Sequence, residues 1–151
     1  MNKEKLLVAA IENGTVIDHI PTNKLFKVAA ILGLEEMSSP ITLGNNFPST
    51  KQGKKGVIKI SDRFFSEEEL SRIAILAPNV RLNVIKNYEV VEKRAIAVPE
   101  EIIGLVKCPN PKCITNNEPM KTHFYVVDDK EEVIRCKYCG RKISPTQIEL
   151  L

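Results

Sequence analysis

Histidine is nearly absent: the 151 residues hold only His19 and His123. No serine stands beside a plausible base, and no G-x-S-x-G occurs, so a nucleophilic triad has no candidates. Glycine is sparse at seven residues, and neither a P-loop nor a GxGxxG fingerprint is present. No apolar run approaches the roughly 20 residues that a membrane helix needs. The apolar stretch Leu6–Ile11 stops at Glu12, too short for an export signal. Repeats and low-complexity tracts are also missing. The net charge is only +3, and residues 100–151 balance eight acidic with eight basic side chains, so the excess lies in residues 1–99. A long polyanion such as nucleic acid calls for a more basic face. A compact anion suits the N-terminal part better.

What the chain does have is four cysteines in its last third, in two pairs: Cys108-Pro-Asn-Pro-Lys-Cys113 and Cys136-Lys-Tyr-Cys139. The spacing is C-x4-C, 22 residues, then C-x2-C. Two tight pairs can bring four thiolates to one point, which suits one tetrahedral Zn²⁺ per chain. With all four positions taken by sulfur, the site is structural and not catalytic. A four-sulfur iron site of rubredoxin type is the alternative metal. Two disulfides would need an oxidising compartment; free thiols without an export signal point to the cytoplasm. Gly140, just after the second pair, suits a knuckle that needs positive φ.

The remainder reads as alternating strand and helix. Lys5–Ile11 and Val16–Ile20 are β-like, with Gly14 as a turn between them. Pro21-Thr22-Asn23 opens a helix closed by Gly33. Pro40–Gly44 and Gly56–Ser61 are strands around a polar loop, Asn45–Lys55, whose Gly53-Lys54-Lys55-Gly56 reads as a solvated turn. Ser66-Glu67-Glu68-Glu69 is a capping box for a helix that ends before Pro78. Val80–Ile85 and Glu89–Val98 are strands joined at Asn87-Tyr88. The fold class expected is therefore α+β. Residues 1–99 form a ferredoxin-like α/β sandwich of one antiparallel sheet and two helices. Residues 100–151 form a small all-β, zinc-ribbon-like domain with strands at Thr122–Val127, Glu132–Cys136 and Lys142–Leu150. Fifty-two residues bury little apolar surface, so the metal would supply stability that the core lacks.

Asp18-His19 lies between a β-run and a helix start, where a carboxylate could hold ribose hydroxyls and an imidazole could meet phosphate. Taken singly, Lys59 and Lys93 read as lysines that guard strand edges, and Asn83 and Tyr88 could be turn residues only. Several strings taken together resemble the regulatory chain of aspartate carbamoyltransferase. They are Gly14-Thr15-Val16-Ile17-Asp18-His19-Ile20-Pro21, Ile58-Lys59-Ile60, Asn83 through Lys93 with Val98-Pro99-Glu100 after it, and the two cysteine pairs with their neighbours. The resemblance runs almost end to end.

That resemblance implies a non-catalytic allosteric subunit of pyrimidine biosynthesis. Its first domain would bind nucleoside triphosphates, CTP inhibiting and ATP activating, with UTP as a further effector, and would pair with a second copy into a homodimer. Its zinc domain would contact the catalytic chain, a separate polypeptide. Carried over by position, Ile11 and Tyr88 would meet the base through backbone groups, and Asp18 and Lys59 the ribose. His19, Asn83 and Lys93 would lie toward the phosphates, Val90 would line the pocket, and Lys5 and Lys55 would serve a second nucleotide or a metal ion at its edge. Neither nucleic acid nor membrane is an expected partner. The competing functions are a nucleic-acid-binding zinc ribbon, disfavoured by the neutral C-terminal part, and a small metalloenzyme, disfavoured by the all-sulfur site.

Overall fold

The computed structural model describes residues 10–50, 53–96, 98–128 and 133–151. The chain divides into two units, with the break between Ala97 and Val98.

The first unit is built from β1 (Gly14–Ile20), α1 (Leu25–Ile31), β2 (Ile41–Ser49), β3 (Gly53–Ser61), α2 (Glu67–Leu76), β4 (Arg81–Lys86) and β5 (Glu89–Ala95). The sheet order is β2-β3-β1-β4-β5, with every neighbouring pair antiparallel. The first four strands with their two helices make the ferredoxin-like arrangement, and β5 extends it beyond β4. Period-two alternation sets the faces. Ile17, Ile58 and Ile60 are fully buried, whereas Val16 and Lys59 between them are half-buried. A methyl added at Gly56 would sit 3.0 Å from Leu25 Cδ1, so α1 covers the face carrying residues 56, 58 and 60. Helix α2 packs beside α1 and adds Leu70, Ile73 and Ala74 to the core. The opposite face carries residues 55, 57 and 59 of β3.

Several sequence expectations need correction here. Gly14 is the first residue of β1, not a turn. Its φ is 142°, and a Cβ there would lie 2.1 Å from the Ile60 carbonyl oxygen, so close strand approach explains the glycine. Ala10 and Ile11 are not in a strand, and the rest of the strand expected at Lys5–Ile11 lies outside the described residues. The first helix starts later than expected, at Leu25. Gly33 takes φ 67° beyond its end, the left-handed conformation that glycine supplies without a steric cost. The polar segment after Gly44 is not a loop, because β2 runs on to Ser49 and β3 begins at Gly53. Backbone pairing tolerates those polar side chains, and Pro48 is accommodated because β2 is an edge strand. A bulge between Gly44 and Phe47, with Asn46 at φ 62°, absorbs the irregularity. β5 stops at Ala95, short of Val98.

Helix α2 begins as its sequence dictates. Ser66 Oγ accepts from the Glu69 N–H at 3.3 Å, and Glu69 Oε1 accepts from the Ser66 N–H at 3.1 Å. Arg63 holds the same Glu69 at 2.9 Å. Ser66→Ala should therefore cost about 1 kcal/mol of first-unit stability, read as a lower urea midpoint with unchanged slope.

The second unit contains β6 (Glu101–Ile103), β7 (His123–Asp128), β8 (Val133–Cys136) and β9 (Lys142–Ile143), in that order across one antiparallel sheet. β6 has only three residues and no sequence signature of its own; it forms because β7 offers an edge. The strand expected over Lys142–Leu150 is two residues long. A capped turn at Ser144–Gln147 interrupts it, and Leu150 then bridges to Val106. The core is small: Ile102, Val106, Phe124, Ile134 and Ile143, beside three of the cysteines.

Candidate functional site

Cys108, Cys113, Cys136 and Cys139 converge, their four Sγ atoms lying within 4.8 Å of one another. Cys108 and Cys139 approach to 3.6 Å, and Cys113 and Cys136 to 3.8 Å. A disulfide needs ~2.05 Å. A tetrahedron of ~2.3 Å metal–sulfur bonds has edges of ~3.8 Å, so the observed spacing fits a four-coordinate metal ion at the centre.

The surrounding groups hold this geometry. β8 delivers Cys136, and the following turn places Cys139; Gly140, at φ 77°, returns its N–H to the Cys136 carbonyl at 3.0 Å. On the other side, Asn116 Nδ2 donates to the carbonyls of Cys108 (2.8 Å) and Asn110 (2.7 Å). Asn117 Nδ2 donates to those of Cys113 (2.9 Å) and Pro111 (3.2 Å). Burial pushes the Cys108 thiol up to about 12 and raises Cys136 as well. At Cys139 burial also acts upward, but the Arg141 N–H and the Asn110 side chain outweigh it and bring the thiol to about 7. Three buried sulfurs and the half-buried Cys139 cannot ionise together without a cation among them, and a divalent metal would supply it.

The second candidate is the open face of the first sheet. Cross-strand register places Lys59 opposite Val16, Val16 opposite Asn83, and Asn83 opposite Lys93. Partners in register share a face, so Lys59, Asn83 and Lys93 stand in one row across β3, β1, β4 and β5. Thr42 extends the row onto β2. Asp18, two residues after Val16, shares this face, and its carboxylate pairs with Lys55 Nζ at 2.9 Å. It also accepts from the His19 N–H at 2.7 Å. His19 sits at φ 60° where β1 shifts register, its Nδ1 3.7 Å from Asp18. Burial lowers the pKa of Lys59, and the Asp18 charge opposes that shift.

One rung toward the β4–β5 turn, Gly14, Ile85 and Val90 are partners. Tyr88 lies in that turn, largely exposed, with φ 66° after φ 54° at Asn87. Its N–H donates to the Glu12 carbonyl at 2.9 Å, which brings the half-buried Ile11 segment alongside. Lys5 lies outside the described residues.

Family models match both units. Residues 6–97 match the aspartate carbamoyltransferase regulatory chain, allosteric domain, and residues 100–149 match its metal binding domain. The chain belongs to the aspartate carbamoyltransferase regulatory chain family. Regulatory chains of Porphyromonas gingivalis (63% identical over 151 residues, all of both chains) and Phocaeicola vulgatus (59% over 150 residues, 99% and 97% of the chains) are similar along their whole length. That of Pyrococcus horikoshii is 47% identical over 146 residues, 95% and 96% of the chains.

As a regulatory chain it is the non-catalytic component of the transferase, with an allosteric domain and a metal-binding domain. The sequence reading missed the asparagines of this regulatory chain's metal domain, Asn110, Asn116 and Asn117. Asparagine beside a knuckle cysteine is a usable signal, because its amide can satisfy the carbonyls that a tight loop leaves unpaired.

Proposed function

We propose that this chain senses nucleoside triphosphates on the open face of its first sheet and transmits their binding to a separate catalytic chain. CTP would inhibit carbamoyl transfer to aspartate and ATP would activate it, with UTP as a further effector. The observation that carries the reading is the row Lys59–Val16–Asn83–Lys93. It sets two ammonium groups either side of an amide on the sheet face opposite the one that α1 covers. A polyphosphate is the small ligand that such a row fits, through charge-assisted hydrogen bonds.

The rung Gly14–Ile85–Val90 and the backbone groups near Ile11 and Tyr88 offer an apolar wall and amide edges suited to a base. Asp18, with His19 next to it, lies on the other side of the row from that rung. The second unit is the docking module: one Zn²⁺ held by Cys108, Cys113, Cys136 and Cys139 shapes the surface that meets the catalytic chain. Pairing of two copies would run through the first unit, and the assembly would work in the cytoplasm.

The test has two parts. Calorimetric titration of the purified chain with CTP should give saturable binding. Assembled with its catalytic chain, the enzyme should need more aspartate for half-maximal rate when CTP is present, and lose that response when the regulatory chain is omitted. Saturable CTP binding without any shift in the aspartate curve would refute the coupling, since a ligand moves an equilibrium only by its differential affinity for the two states.

A further inference from the structure

Strand register puts one more cation beside the Lys59–Asn83–Lys93 row. Arg81 on β4 and Asp18 on β1 are direct cross-strand partners. Arg81 precedes Asn83 by two and Asp18 follows Val16 by two, so this rung neighbours the row on the same face. Leu82, between Arg81 and Asn83, points into the core and is 3% exposed. Arg81 itself is exposed.

Among the described residues nothing takes up its charge. The carboxylate of Asp18 is engaged by Lys55, with contacts of 2.9 and 3.0 Å. On the other flank the partner is Ala95, which offers no charge. Arg63 and Arg94 of the same unit are bound to Glu69 and Glu67. The Arg81 guanidinium has no ion-pair or hydrogen-bond partner among the described residues. It stands two residues along the strand from the row, ~7 Å at ~3.4 Å per residue, within reach of a long side chain. A guanidinium presents a planar fork that matches phosphate oxygens two at a time.

We propose that Arg81 is a specificity-determining residue of the nucleotide site, reading how many phosphates the ligand carries. The inference rests on the nucleotide reading above. Lys59 and Lys93 meet the phosphates that every nucleotide ligand brings. Arg81 adds a contact that only a longer, more highly charged chain fills.

The full chain is titrated calorimetrically with CTP, CMP and cytidine. Arg81→Gln should weaken CTP binding about 10-fold, the effect of losing one charge-assisted hydrogen bond. CMP and cytidine binding should change little, and Arg81→Lys should recover part of the loss. An unchanged melting temperature would show that the variants are folded. CTP and CMP affinities that fall together, or do not fall at all, overturn the role of Arg81. Failure of the unmodified chain to bind CTP overturns the nucleotide reading itself, which separates the two failures.

Discussion

Stripping the metal from Cys108, Cys113, Cys136 and Cys139 should unfold residues 98–151 and leave the first unit folded. The second unit packs little more than Ile102, Val106, Phe124, Ile134 and Ile143 around its sheet. Chains of this size bury too little surface for comfortable stability, whereas structural zinc contributes about 10–16 kcal/mol in small peptides. A metal ion bound there would thus be the larger part of what holds the unit together. Hydrogen exchange should show protection lost throughout β6–β9 and retained in β1–β5 when a thiol reagent removes the ion. Cys136→Ser should do the same without any reagent. Elemental analysis of untreated protein should give close to one zinc per chain. Docking onto the catalytic chain should disappear with the metal and return with it, while CTP binding persists in its absence. Retained protection in β7 and β8 without metal would show that the apolar core suffices to hold the unit folded.

Removal of either row lysine should weaken CTP binding by about 10- to 100-fold, because each charge-assisted hydrogen bond is worth roughly 1.5–3 kcal/mol. Lys59→Ala and Lys93→Ala test this separately by calorimetry. Lys59 adds a readout of its own. Burial holds the Lys59 pKa below the ordinary lysine value of 10.5. A bound polyphosphate favours the ammonium form, so binding takes up a proton once the pH passes that lowered pKa, and affinity falls as pH rises further. Below the lowered pKa the lysine is already charged and affinity is insensitive to it. Lys59→Ala should flatten this alkaline decline. Affinities that are unchanged in both variants would place the ligand elsewhere.

Much of the architecture is legible before any coordinates. The capping box at Ser66–Glu69 is a local device, and its two hydrogen bonds form as the residue types require. The Asn87-Tyr88 turn is equally local, with both residues at positive φ. The segment 45–55 misleads because composition there reports solvent exposure, while strand extension depends on a partner backbone that the sequence does not display. The short β6 is invisible for the same reason: three residues carry no period, and only the edge of β7 makes them a strand.

The sequence by itself determined the two-part organisation, the α+β class and the four-sulfur donor set. Each of these rests on patterns within a few neighbouring residues: alternation, capping and cysteine spacing. Only the tertiary structure decided which distant residues meet. Lys59, Asn83 and Lys93 are separated by up to 34 positions along the chain; the family resemblance groups them in one site, but the pattern of no single strand shows that they share a row. They share a row because β1 inserts between β3 and β4 in antiparallel register, and a one-residue slip in any pairing would turn a member of the row to the opposite face. The same register places Arg81 opposite Asp18 and leaves its charge facing outward, a consequence of sheet geometry that no single strand records.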